Sequence, residues 1–215
     1  MARFRAVIFD MDGVLADSEP LYLQGINEVL KDFGMAITED DHNELLGAAV
    51  GPTWDFIFEK YSPPAGYDEC VARYDQTMVK LLSRPQEPLP GVRELLSELK
   101  RRGIPRALAS SSWPGWVKAL LASTGLDGSF DVAVSSTAVE NGKPAPDIFL
   151  HTAKSLHVEP ERCIVLEDSQ TGVTAAKAAG MYVVQLRAAS TALPPLPEAD
   201  LVLERLSDFP LSLLD

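Results

Sequence analysis

Asp10 and Asp12 stand two apart at the end of an apolar run, Ala6-Val7-Ile8-Phe9, inside the string FDMDGVLADSE. Residues two apart on an extended chain project to the same side, so the two carboxylates share one small space. A buried run that delivers two acids to one place needs something to neutralise them. Either a cation sits between them or one of them keeps a proton. The first solution is a Mg²⁺ site, and the second is a nucleophile beside a general acid. Asp-x-Asp is also common in turns and on surfaces, so the doublet carries weight only in company.

Three further groups supply that company. The run Arg106-Ala107-Leu108-Ala109 ends in Ser110-Ser111-Ser112, and Cys163-Ile164-Val165-Leu166 ends in Glu167-Asp168-Ser169. Lys143, in the string Asn141-Gly142-Lys143-Pro144-Ala145-Pro146-Asp147, follows a strand candidate over 130–134 after a short loop. Each apolar run has the length and bounding residues of a buried strand. Ligands of open α/β sheets bind beyond the carboxyl ends of the strands, which is where these groups fall.

The elements that must position them are legible from periodicity. Between Ser18 and Pro90 the strand pattern stops and helical spacing takes over. Pro20 suits a first helical turn, and Leu21, Leu23, Ile26, Val29, Leu30 and Phe33 follow before Gly34. Thr38 ahead of Glu39-Asp40-Asp41 reads as a helix cap, and 52–60 and 68–83 read as two more helices. The Pro-rich stretch 84–90 has the composition of a return hinge. From Gly91 onward helices and strands alternate, which predicts a parallel sheet with crossover helices. Val92, Leu95, Leu96 and Leu99 form one stripe, and Tyr182-Val183-Val184-Gln185-Leu186 follows Gly180 as a further strand. The stretch 190–197 reads as a Pro-rich loop.

In four ordered strings the chain resembles the haloacid dehalogenase superfamily, in the branch of β-phosphoglucomutase and the small sugar-phosphate phosphatases. The strings are FDMDGVLADSE, LASSS, GKPAPD and LEDSQTGVTAAKAAG, and the likeness extends to the closing ADLVLERLS stretch. The resemblance implies an α/β fold, a Rossmann-like parallel-sheet core with an inserted helical-bundle cap. Residues 1–17 and 86–215 would form the catalytic core and 18–85 the cap, with the active site between them.

It also implies roles. Asp10 matches the nucleophile that forms an aspartyl phosphate, and Asp12 the general acid and base. Ser110, Ser111 and Lys143 match the phosphate-binding positions. Mg²⁺ would take the carboxylates of Asp10 and Asp168 and the backbone carbonyl of Asp12. Glu167 either joins as a direct ligand or accepts from a metal-bound water. The expected activity is phosphatase action on a small phosphorylated metabolite, a sugar phosphate in the first instance. The alternative is a phosphosugar mutase, whose cap histidine and cap-loop arginine are replaced here by Tyr22 and Val50. A non-catalytic phosphate-binding module is the third reading. Dehalogenase and phosphonate-cleaving relatives lack the second aspartate, so Asp12 counts against both.

Substrate choice would lie in the cap. Gly47-Ala48-Ala49-Val50-Gly51 reads either as a loop facing the cleft or as a helix connection. Trp113 and Trp116 either border the pocket or pack against the core, with packing favoured.

Composition narrows the partners. A net charge of −12 argues against nucleic acid and anionic membranes as partners. The resemblance implies a small phosphorylated metabolite as partner, and a monomer or weak homodimer is the expected assembly. That charge also repels phosphate at long range, so Lys143 and a metal must bring it in. The 46% apolar content supports a core, without a run long enough to span a bilayer. Two cysteines form no disulfide framework, and a reducing cytoplasm with no signal peptide is expected. His42, His151 and His157 lack metal-site spacing and are read as surface or packing residues.

Overall fold

The computed structural model describes residues 3–45, 47–189 and 193–215. The 190–192 part of the expected Pro-rich loop lies outside the described residues. The first apolar run forms β1 (Ala6–Phe9), buried at every position. Between it and β2 (Arg106–Ala109) come α1 (Glu19–Leu30), α2 (Glu39–Asn43), α3 (Val50–Tyr61), α4 (Tyr67–Leu82) and α5 (Val92–Arg102). Then follow α6 (Pro114–Ser123), β3 (Val132–Val134), α7 (Asp147–Ser155), β4 (Cys163–Glu167), α8 (Gln170–Ala178), β5 (Tyr182–Leu186) and β6 (Leu201–Leu203).

All six strands lie in one sheet in the order β3-β2-β1-β4-β5-β6, and every pairing is parallel. Strand alternation feeds two cores. Val7, Phe9, Leu108, Ile164 and Leu166 enter the one built with α5, α6 and the inserted helices. Ala6, Ile8, Ala107, Ala109 and Val165 enter the other, against α7 and α8. A sheet covered on both faces needs apolar side chains at every position of its inner strands, which is why the runs read as unbroken. Burial of this kind contributes roughly 1.5–3 kcal/mol per large aliphatic or aromatic side chain.

The helical insert is as expected in number, with shifts at its edges. Pro20 sits in the first turn of α1, and Thr38 accepts from the Asp41 N–H at 3.1 Å to cap the short α2. α3 begins two residues ahead of Pro52, because extended Ala49 starts it and Pro52 falls in the first turn, where its missing N–H costs nothing. β3 is shorter than the 130–134 run. Phe130 packs edge-on against Phe9, and the Asp131 side chain accepts from the Arg106 N–H. The two connections to the insert run side by side, with the Leu89 N–H donating to the Leu15 carbonyl at 2.8 Å. No helix among the described residues is long and apolar enough to cross a membrane. Cys70 and Cys163 are both buried and unpaired.

Candidate active site

β1 is central, flanked by β2 and β4, so the ends of three adjacent strands converge. The Asp10 N–H donates to the Leu166 carbonyl at 2.9 Å, which continues the ladder one step and fixes the residue at the strand tip. There Lys143 reaches in from its loop: Nζ donates to Asp10 Oδ1 at 2.5 Å, Glu167 Oε1 at 2.6 Å and the Ala109 carbonyl at 3.3 Å. Burial works to lower the Lys143 pKa, but the Asp10 and Glu167 carboxylates outweigh it and hold the ammonium above its usual range.

Asp12 is held by hydroxyls. Ser18 donates to its Oδ1 at 2.5 Å, Tyr22 to the same oxygen at 2.7 Å, and Ser112 to Oδ2 at 2.9 Å. Burial raises the Asp12 pKa, and these three hydroxyls oppose the rise. A carboxyl held above its ordinary range keeps its proton to higher pH than a free one, a shift in the direction that general-acid work needs. Tyr22 comes from α1 of the insert, and its hydroxyl also lies 3.0 Å from Ser112 Oγ, so it ties the insert to the sheet edge. Tyr22→Phe is expected to lower kcat by about tenfold through a less firmly held Asp12, a hydrogen bond to a charged group being worth about 1.5–3 kcal/mol. Steady-state kinetics on one phosphoester would check it, with KM changing less than kcat.

Glu167 is fully engaged by the protein. Oε1 accepts from Lys143, while Oε2 accepts from the N–H groups of Asp168 and Ser169 at 2.8 Å each and from the Ser169 hydroxyl at 3.0 Å. A Cβ at Gly172 would lie 1.6 Å from Oε1, so glycine there leaves room for this carboxylate. That arrangement favours the indirect alternative for Glu167: it positions Lys143 and the turn that carries Asp168.

Asp168 is different. Among the described residues no donor reaches its carboxylate. Burial, then the charges of Glu167, Asp10, Glu19 and Asp12, pushes its pKa well above the ordinary value. Burial likewise lifts Asp10 to about 8, even against the Lys143 ammonium. Gly13 (φ +71°) brings the loop against Asp168, where a Cβ would lie 1.8 Å from Oδ2. Asp10 and Asp168 thus bring two desolvated carboxylates with surplus negative charge to one cavity, oxygen donors of the kind that Mg²⁺ takes. The residues present therefore fit the metal that the sequence implied.

A pH dependence follows. The folded-state Asp10 value of about 8 lies above its ordinary 3.8, so the metal-free fold binds the extra proton. Stability from this group falls as pH rises from about 4 towards 8. Mg²⁺ held by Asp10 would stabilise the ionised form, so added Mg²⁺ is expected to raise Tm more at pH 8 than at pH 5. Each kcal/mol is worth roughly 2–4 °C at this chain length. Thermal melts with and without Mg²⁺ at both values would check this.

These groups open into a cavity of about 430 Å³. Asp10, Asp12, Lys143, Glu167 and Asp168 line one part of it, and Tyr22, Ile26, Val50, Tyr74 and Trp116 supply apolar wall. Ser111 lines it as well. Ser110 is wholly buried and accepts from the Ser112 N–H at 3.0 Å, which orders the loop after β2. Gly47, Ala48 and Ala49 face the cavity from the loop ahead of α3, while Val50 and Gly51 already belong to the helix. Trp116 both packs and borders: it is buried, donates to Asp75 of α4 at 2.7 Å, and meets the Tyr74 ring edge-on at 5.4 Å.

His151 and His157 are exposed, but His42 lines the cavity, which corrects its reading as a packing or surface residue only. The sequence reading also gave no role to Ser18, Glu19 or Ser112. Ser112 carried a signal, since it lies two past Ser110 on an extended stretch. His42 carried none, because the fold alone brings α2 over the strand ends.

With the geometry in hand, the chain matches the description of the haloacid dehalogenase-like hydrolases over residues 7–186. It is 38% identical over 176 residues to a phosphorylated carbohydrates phosphatase of Thermotoga maritima, covering 82% of each chain. It is 32% identical to the β-phosphoglucomutase of Bacillus subtilis, covering 98% of this chain and 93% of that one. Among solved structures, CbbY of Rhodobacter sphaeroides in complex with xylulose-(1,5)-bisphosphate superposes with a TM-score of 0.90 at 28% identity, over 99% of both chains.

Proposed function

The chain belongs to the haloacid dehalogenase-like hydrolase family, among its sugar-phosphate phosphatase-like members, and from that premise we propose that it is a Mg²⁺-dependent phosphatase of a small phosphorylated carbohydrate. The observation that carries the reading is the convergence of Asp10, Asp12, Lys143 and Asp168 on one cavity of about 430 Å³, room for a single small ester. Residues 18–85 act as the cap over this site.

In the proposed reaction an Asp10 carboxylate oxygen attacks phosphorus as the bond to the leaving oxygen breaks, giving an aspartyl phosphate. Asp12 delivers its proton to the departing alkoxide. In the second half Asp12 takes a proton from water, whose oxygen attacks phosphorus, and the bond to Asp10 breaks to release inorganic phosphate. Lys143, held by Glu167, and Ser111 offset negative charge on the transferring group. Asp10, Asp168 and the Asp12 carbonyl would hold Mg²⁺, which would offset phosphoryl charge and favour the ionised form of Asp10.

The mutase is the second reading. Against it stand Tyr22, engaged with Asp12, and Val50, an apolar wall residue. Among the described residues Lys143 is the one lysine or arginine that lines the cavity, so a second phosphate finds no clamp there. The buried free cysteines suit a reducing compartment.

The test is phosphate release, with and without Mg²⁺, across sugar phosphates, nucleotides and short phosphoesters, with β-glucose 1-phosphate and a bisphosphate primer assayed for isomerisation. Metal-dependent release supports the phosphatase. Isomerisation with little free phosphate makes it a mutase, and neither activity leaves a binding module.

A further inference from the structure

The roles of Asp10, Asp12, Lys143, Glu167 and Asp168 leave one polar part of the cavity unexplained. Glu19, in the first turn of α1, and His42, on the short α2, both line it. Glu19 Oε2 lies 3.8 Å from His42 Nε2. That is too long for a direct hydrogen bond, yet close enough for one oxygen atom to reach both groups. His42 is buried, which lowers its pKa and keeps the ring neutral. No described hydrogen bond engages its side chain. The Glu19 carboxyl accepts from the Gly47 N–H, which leaves it further acceptor capacity beside a buried neutral imidazole whose ring nitrogens no described group engages.

Position gives the pair its meaning. Glu19 adjoins Ser18 and lies one helical turn before Tyr22, and both of those hydroxyls donate to Asp12. It therefore stands beside the acid that, in the proposed reaction, protonates the leaving oxygen. We infer that Glu19 and His42 select the leaving group, favouring an uncharged, hydroxyl-bearing one and disfavouring a second phosphate or carboxylate.

The inference rests on the phosphatase reading and deepens it. Toward a hydroxyl, the Glu19 carboxyl serves in either protonation state, as acceptor or as donor, and the imidazole supplies the complementary group. Toward a second anion, the charged form of Glu19 is repulsive inside a site already holding Asp10, Asp12, Glu167 and Asp168. Lys143 is committed to Asp10 and Glu167 and offers a second anion nothing. Asn43 and Thr53 line the same cavity and add neutral polar groups, while Tyr74 and Trp116 provide faces for the carbon skeleton.

The test uses a matched pair on the intact protein with Mg²⁺. Glucitol 6-phosphate and 6-phosphogluconate share a six-carbon chain and differ in a terminal hydroxymethyl against a carboxylate. Wild type at pH 8 is expected to favour glucitol 6-phosphate by at least about tenfold in kcat/KM. Glu19→Gln, nearly isosteric, is expected to shrink that preference about fivefold or more, chiefly through a lower KM for 6-phosphogluconate. Inhibition by inorganic phosphate should be unchanged in the variant, which shows that the phosphoryl cradle is intact. A wild-type enzyme indifferent to the terminal carboxylate overturns the inference whatever the variant does, as does an unchanged preference in Glu19→Gln. If neither ester is hydrolysed, calorimetric affinities for both on Asp10→Asn separate the two ideas. Tighter binding of glucitol 6-phosphate there keeps the selectivity while the phosphatase reading falls, and equal affinities overturn the selectivity itself.

Discussion

Asp10→Asn is expected to lower kcat for phosphate release by at least about 10⁴-fold while leaving the protein folded. The amide has nearly the shape of the carboxylate, and its oxygen can still accept from Lys143, whose Nζ lies 2.5 Å from Oδ1. It cannot, however, supply the anionic oxygen that attacks phosphorus. Stability should hold or rise, because burial and the neighbouring Glu167 and Asp12 disfavour a charge at this position. Phosphate release measured beside a thermal melt separates the two effects. A folded variant that keeps more than about one-hundredth of wild-type turnover would remove Asp10 from the chemistry.

Lys143→Met should be the costliest change to the fold and a severe one for activity. It removes the ammonium that both Asp10 and Glu167 contact and leaves two buried carboxylates with one cation fewer. Breaking a buried pair in this way costs about 3–5 kcal/mol, and loss of charge stabilisation during phosphoryl transfer should lower kcat by about 10³-fold. The deficit has a signed pH dependence. Without Lys143 the folded-state pKa of Asp10 moves further above its unfolded value. The resulting destabilisation is absent below the unfolded value and develops as pH rises through the folded one. The gap in Tm from wild type is therefore expected to be smaller at pH 5 than at pH 8. An equal or larger gap at pH 5 would mean that Lys143 acts through packing rather than charge.

Much of this site was legible in the sequence because it sits where strands end. Asp10, Ser110 and the pair Glu167-Asp168 each follow an apolar run, and a parallel sheet buried on both faces demands such runs. Once those runs are read as neighbouring strands, their tips must converge. The order β3-β2-β1-β4-β5-β6 puts the tips of β2, β1 and β4 side by side. Lys143 was legible from its string, but its grip on Glu167 was not, because a loop can direct a long side chain to many places. Nothing in the pattern says that both Glu167 oxygens are taken, since those partners depend on the turn into α8 and on the room that Gly172 leaves.

The insert was readable as helices and unreadable as a wall. Helical spacing located α1, α3 and α4 within a few residues, yet which side chains face the strand ends depends on how the helices dock. Docking turns on Trp116, whose ring meets Tyr22 and Tyr74 and whose N–H reaches Asp75. Those contacts join positions far apart in the chain, and periodicity is blind to them. Tyr22 illustrates the limit. Its place in the sequence marked a departure from the mutase pattern, but only the fold shows its hydroxyl on Asp12.

We propose that Asp10 attacks phosphorus and that water later attacks the same phosphorus. Single-turnover hydrolysis of glucitol 6-phosphate in ¹⁸O-labelled water, followed by mass analysis of the phosphate and of the peptide bearing Asp10, tests it most directly. One labelled oxygen is expected in the released phosphate and none in the Asp10 carboxylate, with the label lost from phosphate in Asp10→Asn because no turnover occurs. Label in the Asp10 carboxylate would place water attack at its carbonyl carbon, and labelled phosphate formed at the wild-type rate by Asp10→Asn would rule out the aspartyl phosphate.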